Sequence, residues 1–179
     1  MGEIRNTQPA LLLIAVSSRY DQALAWTARR CSLEFGPQCQ QSEIFDFTET
    51  DYYQTTMGTE LKKQFLTFQT LIDPGGLPQI KRISNDLEQE YAQLQEHPEP
   101  RPLNLDPGYI TLAKLVLAST KDHAHRIYLG QGIYAEITLH YRHGKWRHHP
   151  WTFRDYRRAD YHEFFDTCRD YVLRHRQAG

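Results

Sequence analysis

The sequence HAHRIYLGQGIYAEITLHY, residues 123–141, contains the clearest fold signal in the chain. Apolar and polar side chains alternate on both sides of Gly130-Gln131-Gly132, as they do in two β-strands joined by a turn. A three-residue loop that contains glycine is a common hairpin connection. We therefore predict a β-hairpin with strands over residues 123–129 and 133–141.

The predicted pairing separates the side chains of this hairpin into two faces. It places Leu129 opposite Ile133, Tyr128 opposite Tyr134, Arg126 opposite Glu136 and Asp122 opposite His140. One face is apolar and carries Ile127, Leu129, Ile133, Ala135, Ile137 and Leu139. The other carries Asp122, Arg126, Tyr128, Tyr134, Glu136, Thr138 and His140. This polar face is either a solvated surface with an ordinary cross-strand ion pair or the floor of a ligand site.

Further helix and strand patterns lie on both sides of the hairpin. Before it we predict strands over residues 11–17, 42–48 and 61–72, and helices over residues 20–35 and 78–96. A proline-rich linker at residues 97–102 precedes a short strand at 103–105, a turn at Asp106-Pro107-Gly108 and a helix with Leu112, Leu115 and Val116 on its inner face. A short strand around Trp146 and a helix over residues 159–176 complete the chain.

This order of elements predicts the fold class. It is α+β, with a ferredoxin-like β-α-β-β-α-β core extended by a helix, an antiparallel β-meander and a C-terminal helix. The length of 179 residues suits a single domain over residues 1–179. Within it we distinguish a βαββα half, residues 1–97, from a βαβββα half, residues 103–179.

The composition is that of a globular protein with an uneven charge distribution. Hydrophobic residues make up 40% of the chain and charged residues 24%, which is enough for a packed core. Residues 1–100 carry 8 Lys and Arg against 14 Asp and Glu, a net charge of −6, whereas residues 101–179 carry 13 against 8, a net charge of +5. Either the two halves attract each other within one fold, or the C-terminal half binds an anionic partner.

Targeting and cysteine patterns predict a cytoplasmic protein without a membrane partner. The first apolar run, residues 11–16, is shorter than a secretory signal or a membrane span requires. The three cysteines contain no C-x-x-C spacing, so neither a zinc knuckle nor a redox dithiol is indicated. A reducing compartment is the simplest setting for them.

A set of short motifs resembles the bacterial family known as domain of unknown function 4416. The motifs are Phe45-Asp46-Phe47-Thr48, Asp51-Tyr52-Tyr53, Met57-Gly58, Asn104-Leu105-Asp106-Pro107-Gly108-Tyr109, residues 112–118, residues 120–129 and Gly132-Ile133-Tyr134-Ala135-Glu136. The resemblance spans nearly the whole chain, but it implies no activity because none is established for the family. Some members carry a loose GTP-binding label. The phosphate loop G-x-x-x-x-G-K-[ST] that a GTPase of that kind needs is absent here.

Other catalytic motifs are also missing from the sequence. It contains neither H-E-x-x-H nor G-x-S-x-G. His123 and His125 project to the same side of the predicted strand, where they are either metal ligands or ordinary hydrogen-bonded histidines. We assign no metal site, and the sequence decides neither whether a cofactor binds nor whether the protein is an enzyme.

Our leading hypothesis is a binding site for a small anionic or phosphorylated molecule on the polar face of the hairpin. Helix N-termini, lysines and arginines suit such ligands. The candidate acid–base residues are Asp106, Glu136 and His140. The candidate ligand-binding residues are Lys114, Lys121, Asp122, Arg126, Tyr128 and Tyr134.

Two alternatives belong to other functional classes. Residues 140–158 contain six Lys and Arg against one acidic residue, with five aromatic residues interleaved. This pattern is typical of single-stranded RNA binding, unless the aromatic side chains pack on the sheet instead. A protein-interaction domain without chemistry is the third hypothesis. The sequence leaves the oligomeric state open.

Overall fold

The computed structural model describes residues 2–3, 6–50, 53–94 and 96–175. The elements in chain order are β1 (Leu11–Ser18), α1 (Asp21–Phe35), β2 (Gln38–Gln41), β3 (Phe45–Asp46), α2 (Gln54–Met57), β4 (Lys62–Phe68), α3 (Leu77–Gln93), β5 (Asn104–Ile110), β6 (Lys114–Ser119), β7 (Ile127–Gly130), β8 (Ile133–Arg142), β9 (Lys145–His148) and α4 (Ala159–His175). Short 3-10 turns at Pro74–Gly76 and Asp155–Arg157 precede α3 and α4. The α+β class is therefore confirmed. No helix within these ranges is both long and apolar enough to cross a membrane.

All the strands of the described residues form one antiparallel sheet. Seven of them follow the order β2-β4-β1-β5-β6-β8-β7, while β3 adds to β4 and β9 adds to β8. Every residue of β1 is buried, and this strand pairs with β4 on one side and β5 on the other. Strands from both halves of the chain thus share one sheet.

Helices cover both faces of the sheet around β1. Leu12, Ile14 and Val16 pack beneath α1 and α3, in a cluster that includes Leu87 and Tyr91. The alternate residues of β1 face α4 and pack with a cluster of aromatic side chains. The apolar run that opens the chain is therefore buried because each of its two faces has a helical layer against it.

The predicted turn and helix after residue 105 are wrong. Strand β5 continues through Asp106-Pro107-Gly108, and residues 114–119 form strand β6 rather than a helix. The spacing of apolar residues misled the prediction because a short, doubly buried strand has the same run of apolar residues as a buried helix. Gly108 makes this pairing possible, since a Cβ there would lie 2.2 Å from the carbonyl oxygen of Val116.

Several other predicted boundaries need correction. The strand predicted over residues 42–48 is replaced by β2 and β3, and the one predicted over residues 61–72 covers only Lys62–Phe68. The first strand of the hairpin begins at Ile127 instead of residue 123. The strand around Trp146 is confirmed as β9. The last helix begins at Ala159 as predicted, and residue 176 lies outside the described residues.

The two strands of the hairpin pair in the predicted register, but the turn that joins them differs from the predicted three-residue loop. Tyr128 lies opposite Tyr134, as predicted, but Gly130 rather than Leu129 lies opposite Ile133. The connection is Gln131-Gly132, and both residues have positive φ, as a type I′ hairpin turn requires. The irregularity at Leu129 absorbs the extra residue and preserves the register of the strand.

A second bulge mixes the two predicted faces of β8. Leu115 pairs with Leu139 but Val116 pairs with Ile137, so Thr138 is the extra residue. Glu136 consequently lies on the same side of the sheet as Leu139, both of them buried. The clean separation of apolar and polar faces that the sequence suggested does not hold.

Candidate functional site

A gap in the sheet creates a cavity beside β5 and β6. Strands β5 and β6 pair only between residues 108–110 and 115–117, and no pairing joins them beyond that point. Residues 104 and 106 of β5 and residues 117–119 of β6 line a cavity of about 740 Å³ there. This volume lies in the range of small-molecule binding sites.

The lining of the cavity is strongly charged and carries an excess of positive charge. Its cationic side chains are Lys63, Lys81, Arg101, Lys121, Arg126 and Arg154. Its acidic side chains are Glu49, Asp106, Glu136 and Asp155. Six positive groups against four negative groups leave an excess of two positive charges, with His123 taken as neutral.

Lys81 reaches the cavity from α3 and meets Asp106 of β5. It is buried, and its Nζ donates to the carbonyl oxygen of Leu105 over 2.8 Å and lies 3.5 Å from Asp106 Oδ1. Asn104 Nδ2 donates to the other oxygen of Asp106 over 2.8 Å. About a third of the Asp106 side chain remains exposed, so its carboxylate is held in place yet still reaches the cavity.

The surrounding cations control the ionisation of Asp106. Burial is the largest single influence on the pKa of Asp106 and acts to raise it. Four groups act in the opposite direction: Lys81, Lys63, the hydrogen bond from Asn104, and Arg101. Together they outweigh the effect of burial and hold the pKa of Asp106 below its usual value. Asp106 is therefore an ionised hydrogen-bond acceptor at neutral pH.

A second carboxylate behind this group keeps Arg101 in position. Arg101 Nη2 donates to Glu88 Oε2 over 3.0 Å and also to the side-chain oxygen of Asn104. The other oxygen of Glu88 accepts from the backbone N–H of Leu105 over 2.8 Å. Burial raises the pKa of Glu88, although Lys81 and Arg101 act against it. The chain of contacts orients Arg101 and Asn104 toward Asp106.

Lys63 and Asp155 form a buried ion pair at the opposite wall. Their Nζ and Oδ2 atoms are 2.5 Å apart, and both side chains are about 95% buried. The ammonium group also lies 3.9 Å from the centre of the Phe47 ring. This pair attaches the segment before α4 to β4, because a buried ion pair is costly to separate.

Arg126 and Glu136 form another buried pair, as the hairpin register predicted. Arg126 Nε donates to Glu136 Oε2 over 2.8 Å, and His125 Nε2 lies 3.0 Å from the same oxygen. Arg126 Nη1 also donates to Ser119 Oγ over 2.7 Å. The guanidinium group thereby connects the end of β6 to β8 at the edge of the cavity.

Residues 149–155, which we call the rim loop, complete the cavity. Thr152 Oγ1 donates over 2.6 Å to the carbonyl oxygen of Thr138, the residue of the β8 bulge. Trp151 Nε1 donates to the carbonyl oxygen of Ile137 over 3.2 Å. These two contacts hold the loop against β8 and place Phe153 and Arg154 in the cavity lining.

Two histidine rings stack with Trp151. Its ring is parallel to those of His149 and His125, at centroid distances of 4.7 and 5.5 Å. His140 Nδ1 lies 3.1 Å from His149 Nε2. Burial, with His140 and His148 nearby, lowers the pKa of His149. A neutral His149 is thus part of the packing that supports the rim loop.

One buried hydroxyl in the cavity lining lacks a hydrogen-bond partner. Tyr156 is 2% exposed, and none of the described residues accepts from or donates to its hydroxyl. Burial raises the pKa of Tyr156 well above its usual value. Buried polar atoms are nearly always paired, so an unpaired one in a cavity wall indicates a place for a bound molecule or water.

The structure brings together four of the nine side chains that the sequence nominated. Asp106, Lys121, Arg126 and Glu136 all line the cavity. The other five do not, and they are Lys114, Asp122, Tyr128, Tyr134 and His140.

These five side chains lie elsewhere for clear structural reasons. Lys114 and His140 face each other at the far end of β6, on the other side of the bulge at Thr138. Tyr128 and Tyr134 contact each other in the hairpin at the outer edge of the sheet, with tilted rings whose centroids are 5.2 Å apart. Asp122 precedes the hairpin and interacts with Tyr134.

The ligand-site residues nominated from the sequence did not include Lys63, Lys81, Arg154 or Asp155, although the last two lie within the basic aromatic stretch, residues 140–158. A signal for Lys81 was present, since it lies on the buried stripe of α3 four residues after Leu77. A charged residue on such a stripe is rarely buried without a partner. The partners of Lys63 and Lys81 lie 92 and 25 residues away in the chain, so local patterns give no sign of them.

The basic aromatic stretch is divided between the core and the surface. Trp146 and Tyr156 are buried in the core against α4, as expected if the aromatic residues pack on the sheet. Trp151 and Phe153 remain substantially exposed. Among the described residues, no cluster of three or more His, Cys, Asp or Glu side chains could hold a metal ion.

Comparison with known proteins identifies one match over most of the chain. The model of the family described as "Domain of unknown function (DUF4416)" matches residues 8–171. Neither the curated proteins nor the solved structures include a significant match.

Proposed function

Since the chain belongs to the DUF4416 family, whose description gives no activity, we propose from the geometry of the site that the protein binds a small anionic molecule. The ligand occupies the cavity beside β5 and β6. The observation that carries this proposal is the excess of two positive charges in the lining of a cavity large enough for an organic molecule.

Arg154 is the side chain best suited to bind the anionic group directly. Lys63, Lys81 and Arg126 each have a carboxylate partner, whereas the guanidinium group of Arg154 makes no hydrogen bond or ion pair with any described residue. The rim loop places it at the cavity, where its guanidinium group can donate two parallel hydrogen bonds to a phosphate or carboxylate.

The two candidate carboxylates have different roles in this proposal. Glu136 is 3% exposed and engaged by Arg126 and His125, so it stabilises the cavity wall. Asp106 is ionised and partly exposed, so it accepts hydrogen bonds from hydroxyl or amino groups of the ligand. A ligand with a negative group at one end and hydrogen-bond donors at the other satisfies both Arg154 and Asp106.

A thermal-shift comparison tests the proposal. Ribose 5-phosphate should raise the melting temperature in a concentration-dependent manner, because a ligand that binds only the folded state stabilises it. Ribose, which carries an uncharged hydroxyl in place of the phosphate, should have little effect. Equal effects of the two compounds, or none from either, would remove the case for an anion site.

We also propose the ferredoxin-like description for the core formed by β1, α1, β2, β4, α3 and β5, and a cytoplasmic location. The order β2-β4-β1-β5 with α1 and α3 on one face supports the former. Three free cysteines in the described residues, two of them buried, support a reducing compartment.

A further inference from the structure

We infer that the ligand is a phosphate monoester that carries a planar aromatic ring, and that this ring stacks on Phe153. The inference deepens the proposed function and rests on it. It names the class of molecule rather than one compound, because nucleoside monophosphates and phosphorylated pyridines share this chemistry.

The charge of the cavity matches a phosphate monoester. Such a group carries about −1.5 to −2 at pH 7, and the lining has an excess of two positive charges. A single carboxylate would neutralise only half of that excess. A bare phosphate ion would balance the charge but would leave most of the roughly 740 Å³ unfilled. An organic body attached to the phosphate fills the remaining space.

Phe153 provides an aromatic platform in this lining. Its side chain lines the cavity although the residue is 48% exposed, and it makes no ring contact with any other described residue. An exposed phenylalanine at a cavity wall gains favourable contacts when an apolar or aromatic group covers it. The next residue is Arg154, so a ring-stacking group and a phosphate-binding group are adjacent in the chain.

The position of this platform is set before any ligand binds. On one side of Phe153, Thr152 is hydrogen-bonded to the carbonyl of Thr138 over 2.6 Å. On the other side, Asp155 is paired with Lys63 over 2.5 Å. Because the chain is anchored on both sides of Phe153, at Thr152 and at Asp155, stacking on Phe153 requires little ordering of the loop, which favours affinity.

Two polar groups in the lining are available for the edge of a heteroaromatic ring. The buried Tyr156 hydroxyl has no partner among the described residues. The side-chain amide of Asn85, which also lines the cavity, makes no hydrogen bond with them either. An amide offers both donors and an acceptor, the combination that ring nitrogens and exocyclic groups require.

Isothermal titration calorimetry of the full chain with matched probes tests the inference. The ring-bearing probes are the 5′-monophosphates of adenosine, guanosine, cytidine and uridine and pyridoxine 5′-phosphate; ribose 5-phosphate is the probe without a ring. At least one ring-bearing probe should bind at least about fivefold more tightly than ribose 5-phosphate, as stacking of one base typically provides. Which probe binds best distinguishes a nucleotide from a phosphorylated pyridine.

Substitution of the platform provides the second part of the test. Phe153→Leu keeps an apolar side chain and removes the flat ring, and Phe153→Ala removes both. Each should bring the affinity for the best ring-bearing probe down to that for ribose 5-phosphate, which should itself stay within twofold of wild type. Circular dichroism spectra confirm that the variants are folded.

The outcomes separate this inference from the proposed function. If ribose 5-phosphate binds as tightly as every ring-bearing probe, or if Phe153→Leu leaves their affinities unchanged, the aromatic ligand is excluded while the anion site stands. If none of the phosphate monoesters binds to the wild-type protein, both the inference and the proposed function are overturned.

Discussion

Arg126 donates from Nε to Glu136 Oε2 over 2.8 Å, and both side chains are at least 95% buried. The two residues lie on neighbouring segments of the hairpin, and Glu136 also accepts from Thr138 and contacts His125. With this many partners, the Glu136 carboxylate has a structural role in the cavity wall. Its removal should therefore affect folding more than chemistry.

We predict that Glu136→Gln lowers the free energy of unfolding by about 3–5 kcal/mol, because it leaves the buried Arg126 without its counter-charge. Chemical denaturation measures this loss. The matched control is Glu163→Gln on the exposed side of α4, which should change stability by less than about 0.5 kcal/mol. If Glu136→Gln and Glu163→Gln both change the free energy of unfolding by less than about 0.5 kcal/mol, the buried Arg126 does not need the charge of Glu136.

We predict that Lys63 and Asp155 contribute jointly to the free energy of unfolding, and a double variant tests this coupling. Lys63→Met alone should lower the free energy of unfolding by about 3–5 kcal/mol, because Asp155 then remains buried without a partner. Adding Asp155→Leu to Lys63→Met should recover a large part of this loss, since two apolar side chains replace the two charges. If the double variant is no more stable than Lys63→Met, the pair is not coupled.

His149 makes the stability of the fold depend on pH. Its pKa in the folded state is lowered, by burial first and then by His140 and His148. The unfolded chain therefore binds a proton more readily than the folded chain, and stability decreases as the pH falls below about 6.5. We predict a larger loss between pH 7.5 and pH 5 for wild type than for His149→Phe, which stacks on Trp151 but cannot titrate. Urea titrations measure the free energy of unfolding at each pH. An equal loss between pH 7.5 and pH 5 in wild type and His149→Phe would contradict the assignment of this pH dependence to His149.

The three thiols should differ in reactivity. Burial raises the pKa of Cys31 to about 12 and also raises that of Cys168, so neither forms a thiolate near neutral pH in the folded protein. Cys39 is only partly buried. With iodoacetamide at pH 8, mass spectrometry should find Cys39 modified in the native protein and the other two only after unfolding. Modification of all three at equal rates would mean that the helices open readily.

The local pattern of the sequence predicted some parts of the site and not others. The hairpin register brought Arg126 and Glu136 together because strand periodicity and a short turn leave few alternatives. The cavity was not predictable in this way. It exists because β5 and β6 stop pairing beyond Gly108 and Leu117, and the pattern of residues 112–118 had suggested a helix in place of β6.

Long-range contacts explain most of the remaining differences. Thr138 looked like one residue of a regular strand, yet its bulge turns Glu136 to the same face as Leu139 and provides the carbonyl that holds Thr152. Lys81 of α3 meets Asp106 of β5 only after the sheet has assembled. The aromatic residues Trp146 and Tyr156 were identified in sequence, but their burial depends on the position of α4.

The most direct test of the central claim is the affinity for ribose 5-phosphate of wild type, Arg154→Gln and Arg147→Gln, measured by isothermal titration calorimetry. Arg147 is also an exposed arginine, lies on β9 and does not line the cavity, so it controls for net charge. We predict at least about tenfold weaker binding for Arg154→Gln, because a hydrogen bond to a charged group contributes about 1.5–3 kcal/mol. Arg147→Gln should bind within about twofold of wild type, as expected for a distant charge screened by salt. Equal affinities of wild type and Arg154→Gln, or no binding by wild type, would contradict the claim that this cavity is an anion site.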